Sequence, residues 1–398
     1  MISRVSQAHR DARNPPSALG TARAAGKTGA ETPRVAVTPR IRLLELARLA
    51  EDRQMAGQPE ERDGLALIRG AARRLERSWR HEVTVGEVLV AMAERCVFVT
   101  LSPDGRPVVV KADARPGRTA TELRVLTAAR AAGVPVPAVV HADRQAPALL
   151  VLEYVPGQAL GSAASAAAWA QAGRLLRRLH DMPDPGGIGS AIEWPAEGRL
   201  GPRPPLRHAL PQRAARETAV AAQRGLLSEG QASRISRLLG RAFGGIDDPE
   251  RDCVLHGDCQ PSHFLLGAAE ADARLGGAEP GAGLRPAAHS AGGTIAAVID
   301  FGDACTGDPA WDLAVLTLDD AGRLDDVLTG YAPEPHIARR MSALAGPYRL
   351  LRRLGEANWL ADHGFSPEPS IAPLRDAGDA GDAAEPRQPT DDSTATKR

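Results

Sequence analysis

Two stretches in the C-terminal third constrain this chain more than any other feature, because each drives a run of apolar, β-type residues directly into a polar loop. Residues 254–266 read Val-Leu-His-Gly-Asp-Cys-Gln-Pro-Ser-His-Phe-Leu-Leu, and residues 297–303 read Ala-Val-Ile-Asp-Phe-Gly-Asp. Taken alone, a His-Gly-Asp triplet is a common turn, and an Asp behind an apolar run often only caps the next element. Both stretches in this order, with a lysine and a glutamate suitably placed upstream, form a chemical pattern.

Asp258 stands five residues before His263, the separation at which protein-kinase catalytic loops carry their base Asp and metal-binding Asn. Asp300 opens a D-F-G triplet, where kinases hold Mg²⁺. A hydroxyl attacking a γ-phosphate needs an acceptor for its proton and alignment with the leaving oxygen, and the Asp258 carboxylate suits both tasks. Mg²⁺ is a hard cation that prefers oxygen ligands, so Asp300 suits it. His263 suits it less well, since imidazole is a poorer partner for Mg²⁺ than an amide oxygen.

At these residues the chain resembles the aminoglycoside phosphotransferase and choline kinase-like family, small-molecule relatives of the protein kinases. The likeness is carried by His256-Gly257-Asp258 with His263, by Ile299-Asp300-Phe301-Gly302-Asp303, and by Gly307-Asp308-Pro309-Ala310-Trp311-Asp312-Leu313-Ala314, in the family's order. It extends over about residues 83–360. The resemblance implies an α+β, protein kinase-like two-lobed fold, with a small β-rich N-lobe and a larger, mostly helical C-lobe. It also implies Asp258 as catalytic base, Asp300 and His263 as Mg²⁺ ligands, and His256 and Asp312 as supports of the catalytic loop. Asn is commoner than His at position 263.

The upstream pattern agrees. Short apolar runs at 88–91 and 96–101, a Pro103-Asp104-Gly105 turn and Val108-Val109-Val110-Lys111 read as three consecutive strands. A helix is expected over 117–132, with Gly133 placed to stop it. Lys111 would meet the nucleotide phosphates and pair with Glu122. Without the downstream motifs the two would pass for a snorkelling lysine and an ordinary helix charge. Residues 92–95, Met-Ala-Glu-Arg, join the first two strands without a glycine. Arg95 there could meet phosphate in place of a glycine-rich loop, but it reads first as a solvated loop charge. By resemblance, Leu152 borders the base pocket and the backbones of Glu153 and Val155 bind the base, which leaves ATP and GTP equally open as donors.

Domain boundaries follow from composition. Residues 1–38 carry no sustained apolar period and read as a disordered tail, 39–82 as a helical extension with stripes at 41–50 and 65–79, 83–155 as the nucleotide lobe, 156–365 as the catalytic and substrate lobe, and 366–398 as a second disordered tail. Gly20 through Gly26-Lys27-Thr28 mimics a phosphate-binding loop but has five residues between the glycines where that motif has four. Residues 267–293 read as an extended hairpin tip.

The balance of 49 basic and 49 acidic residues gives no reason to expect nucleic acid or a membrane surface as partner. The four cysteines form no C-x-x-C pair, which points to a reducing, cytoplasmic setting. Only twelve residues separate Asp300 from Asp312, too few for the segment on which protein kinases dock peptides, so the expected acceptor is a small molecule. An aminoglycoside or other antibiotic leads. The alternatives are a metabolic kinase acting on choline, homoserine or a sugar, and a nucleotide-binding scaffold of the same fold without catalysis.

Overall fold

The computed structural model describes residues 59–189, 206–246, 249, 252–267 and 293–380. The expectations for 1–38, for the stripe at 41–50, for the hairpin tip within 268–292 and for residues beyond 380 lie outside them. The chain forms two compact units, one made of residues up to 194 together with 251–342, the other of 195–250 together with 343–398. These units cut across the lobe boundaries drawn from composition, because the chain leaves the first unit at 194, returns at 251 and leaves again within a helix.

The first unit opens with α1 (Pro59–Trp79) and a five-stranded antiparallel sheet of β1 (Val88–Ala91), β2 (Arg95–Leu101), β3 (Pro107–Asp113), β4 (Val139–Asp143) and β5 (Ala148–Glu153), in the order β1-β2-β3-β5-β4. Period-two patterning gives the sheet two different faces. Cys96, Phe98, Val108, Val110, Ala112, Leu149 and Val151 pack with Leu65, Ile68, Ala72 and Leu75 of α1 into one buried cluster. The region expected to be an extension is therefore a wall of the nucleotide lobe's core. The opposite face carries Arg95, Val97 and Val99 of β2, then Asp113, Lys111 and Val109 of β3, then Ala148, Leu150 and Leu152 of β5, paired in that register.

Between β3 and β4 lies α2 (Pro116–Ala131), and Gly133 follows at φ 75°, the left-handed conformation that ends a helix cheaply in glycine. The rest of this unit holds β6 (Gln158–Ala159), the core helix α3 (Ala166–Asp181), strands β7 (Cys253–Leu255), β8 (Phe264–Leu266), β9 (Ile295–Val298) and β10 (Cys305–Gly307), and helices α6 (Pro309–Leu316) and α7 (Leu324–Tyr331). β7 pairs with β10, and β8 with both β6 and β9. These small sheets fix the two loops that carry Asp258 and Asp300.

The second unit is helical. α4 (Leu206–Gln223) and α5 (Glu229–Gly244) pack as a pair, with Ser228 and Gln231 forming a capping box at the start of α5. α8 (Pro335–Asp362) enters it from residue 343 onward. Residues 366–380 correct the expected tail: 368–380 form α9 (Glu368–Ala380), whose Ile371 and Leu374 are fully buried and which packs on α5. Its composition is rich in Ala, Asp and Pro, but two apolar residues at helical spacing suffice to dock it. Among the described residues no helix is long and apolar enough to cross a membrane.

Candidate active site

Strand β7 delivers the catalytic-loop candidate. After Leu255 the chain turns at Gly257, whose φ of 82° and close approach to the Asp303 carbonyl, 1.9 Å from where a Cβ would stand, admit no side chain. Asp312, fully buried near the start of α6, accepts from the His256 N–H at 2.7 Å and the Gly257 N–H at 3.1 Å. Trp311 donates its indole N–H to the Gly257 carbonyl at 2.9 Å. The His256 ring meets the Ile299 carbonyl at 2.9 Å and packs on Phe301. The two loops are thus clamped to each other by buried backbone-directed contacts.

Behind this clamp stands a pair that sequence reasoning missed. His180 of α3 contacts Asp312 through Nε2 at 3.1 Å and the Tyr331 hydroxyl through Nδ1 at 3.0 Å. Nothing local in the chain joins positions 180, 312 and 331, so no sequence signal short of the assembled fold would reveal it.

Asp258 is buried, and Gln260 donates its side-chain amide to both carboxylate oxygens, at 3.0 and 3.2 Å. Gln260 was also missed, although an amide two residues after an Asp in a loop is a readable hint. The carbonyl of Asp258 accepts from Nδ1 of His263 at 2.8 Å. A proton on Nδ1 leaves a lone pair on Nε2 of the neutral ring. Burial holds this imidazole far below its ordinary 6.5, at about 4, against the pull of Asp300 and Asp258.

Asp300 sits in the left-handed region, φ 68°, an unusual conformation for a non-glycine residue and one that clusters at functional sites. Its Oδ1 accepts from Lys111 Nζ at 2.9 Å and from Arg95 Nη2 at 2.7 Å. Lys111 also donates to Glu122 of α2 at 2.5 Å. Burial alone would raise the Asp300 carboxyl, but Arg95 and Lys111 outweigh it and hold it well below the usual carboxylate range. The other oxygen, Oδ2, faces His263 Nε2 across 3.7 Å. Two acceptors turned toward each other with no proton between them make a favourable seat for a cation. Among the described residues no three His, Cys, Asp or Glu side chains gather as a metal cage.

Arg95 is a correction. Expected in solvent, it is 8% exposed and bonded to Asp300. The reason lies in register: Arg95 pairs with Asp113 and Val97 with Lys111, so Arg95 is one pleat along from Lys111 on the same sheet face. Nearby, Arg118 of α2 reaches Asp303 at 2.5 Å. At the C-terminal end of β5, Leu152 is buried, and the Glu153 N–H donates to the Ala138 carbonyl at 2.8 Å.

A β-sheet lobe presenting a Lys–Glu pair to a D-F-G aspartate, above a clamped His-Gly-Asp loop, defines a kinase-like phosphotransferase. The model of the phosphotransferase enzyme family matches residues 93–277 and 288–344, and the chain belongs to that family. No curated protein sequence matches it. Among solved structures it is similar to the macrolide 2'-phosphotransferase MphH from Brachybacterium faecium, 19% identical over 80% of this chain and 99% of that one with a TM-score of 0.50. It is also similar to aminoglycoside 2'-phosphotransferase-IIIa bound to GDP, 13% identical over 77% of this chain and 97% of that one with a TM-score of 0.53. A thermostable mutant of aminoglycoside phosphotransferase APH(4)-Ia with ADP and hygromycin B is 16% identical over 78% of this chain and 97% of that one, TM-score 0.51. These likenesses establish the protein kinase-like α+β fold.

Proposed function

We propose that the protein moves the γ-phosphoryl group of ATP or GTP to a hydroxyl of a small molecule, with an aminoglycoside or other antibiotic as the leading acceptor. The observation that carries this reading is the convergence on Asp300 of Lys111, its partner Glu122 and His263, beside a buried Asp258.

In this reading Asp258 accepts the proton of the acceptor hydroxyl and aims that oxygen at the phosphorus. Gln260 donates to both carboxylate oxygens and so fixes the orientation of the base. Asp300 Oδ2 and His263 Nε2 would hold Mg²⁺, which supplies charge neutralisation for the phosphates. Lys111, positioned by Glu122, would bind the phosphate chain. Leu152 would border the base, and with the Glu153 N–H spent on Ala138, the Glu153 carbonyl and the Val155 N–H are the groups left to read it. His256 and Asp312 would keep the catalytic loop in register through the contacts above.

The antibiotic reading draws support from the neighbours, whose structures include hygromycin B and kanamycin complexes. The acidic pairs Asp319-Asp320 and Asp325-Asp326 give a polycationic acceptor little help, since Asp320 and Asp326 both face Arg323, at 3.4 and 3.2 Å. The test is incubation with Mg²⁺, ATP or GTP and a panel of aminoglycosides, macrolides, choline, homoserine and sugars, read by mass spectrometry for a phosphoryl adduct. An adduct on one antibiotic class is expected. An adduct only on a metabolic hydroxyl moves the acceptor assignment, and nucleotide binding with no adduct across the panel favours the scaffold.

A further inference from the structure

We infer that Arg95 is a phosphate-binding residue that does, with its side chain, what a glycine-rich turn does with its backbone. The inference rests on the nucleotide site proposed above and adds a residue to it. The turn between β1 and β2 is too closed to wrap a phosphate chain. Met92 and Arg95 exchange backbone hydrogen bonds, Met92 N–H to Arg95 O at 2.9 Å and Arg95 N–H to Met92 O at 3.3 Å, so both of those donors are consumed within the turn. The turn is also pinned from the side. The Glu94 carbonyl accepts from the Ala114 N–H at 2.8 Å, and the Glu94 carboxylate pairs with Arg115. With no glycine among residues 92–95, the backbone has little freedom to open toward an anion.

The side chain at the base of that turn makes up the deficit. Arg95 lies on the same sheet face as Lys111, one pleat along, and both cations reach the same oxygen of Asp300, at 2.7 and 2.9 Å. A guanidinium has five N–H donors, and the bond to Asp300 employs Nη2. That bond leaves further N–H donors on the guanidinium, and a fork of two parallel N–H groups matches a pair of phosphate oxygens. Arg95 is buried, and its charge is met by the Asp300 carboxylate. Arg95 and Lys111 together balance Asp300 and Glu122. An arriving polyphosphate then meets two cations on one face, whereas without Arg95 the remaining Lys111, Asp300 and Glu122 would carry a net negative charge that repels it.

The experiment compares binding of a nucleoside, its diphosphate and its triphosphate, with Mg²⁺, by calorimetry on the full chain, for wild type, Arg95→Lys and Arg95→Met. Arg95→Met should weaken triphosphate binding by roughly 10- to 100-fold, the loss of charge-assisted hydrogen bonds, while nucleoside affinity stays within twofold. Arg95→Lys, which keeps a cation beside Asp300 and so guards against a folding defect, should lose less. Triphosphate affinity unchanged in a folded variant would overturn the inference. So would an equal loss for nucleoside and triphosphate, the mark of a residue that only shapes the pocket. Failure of the wild type to bind any of the three would instead remove the nucleotide site itself.

Discussion

Imidazole at position 263 is the residue on which the site departs most from a standard kinase loop, and its chemistry is set by one contact. The Nδ1 proton is committed to the Asp258 carbonyl, so Nε2 is an acceptor and the ring behaves as a neutral ligand. An amide oxygen would serve in the same place, and His263→Asn should retain Mg²⁺-dependent turnover within about tenfold while His263→Ala loses it. If Asn proves as inactive as Ala, the imidazole has a role beyond ligation. The proton linkage offers a second check. The unfolded chain protonates this ring near 6.5, the folded one only near 4, so between those values the unfolded state holds more protons. Stability is therefore full above about pH 6.5 and falls as pH drops toward 4, by up to about 3 kcal/mol. Denaturation curves at pH 7 and pH 5 should show about 2 kcal/mol of this loss in the wild type and a smaller one in His263→Asn. At this same scale the spacing of motifs singled out Lys111, Glu122 and Asp300, and the structure brings Lys111 into contact with both carboxylates. The sequence was opaque for Arg95, whose burial follows from cross-strand register, a property of two strands together. Counting back by twos from Val97, the partner of Lys111, would have placed Arg95 on the site face.

Among elements, the loop after β7 is held by α6. Asp312 satisfies two backbone N–H groups and touches His180 in a dry interior, so Asp312→Ala strands three polar groups at once. A loss of roughly 3 kcal/mol or more is expected, measured by denaturation, with turnover falling further than nucleotide affinity because the base loop loses its anchor. Affinity and turnover falling in parallel would mean that Asp312 supports the whole lobe evenly. Helix α9 makes the opposite point about legibility. Its composition reads as a tail because disorder is inferred from averages, whereas Ile371 and Leu374 dock it individually. Leu374→Ala should cost about 2–5 kcal/mol in the second unit. A change below 0.5 kcal/mol would return residues 368–380 to the tail. The helix at 116–131 was visible in advance, expected over 117–132, because the glycine that stops it follows directly in the chain.

For the whole molecule, the central claim is that one buried carboxylate performs the chemistry while a separate set of groups holds the nucleotide. The two sets are distinct in the structure: Asp258 is bonded to Gln260, whereas Lys111, Arg95 and Glu122 converge on or beside Asp300. That separation makes binding and catalysis experimentally divisible. The most direct measurement is Asp258→Asn, a change that keeps the shape and removes the base, with nucleotide affinity followed by calorimetry and product by mass spectrometry on the best acceptor found. Phosphoryl transfer should slow by roughly 10²-fold or more with nucleotide affinity unchanged within about threefold. Transfer at the wild-type rate in a folded Asp258→Asn protein would contradict the central claim.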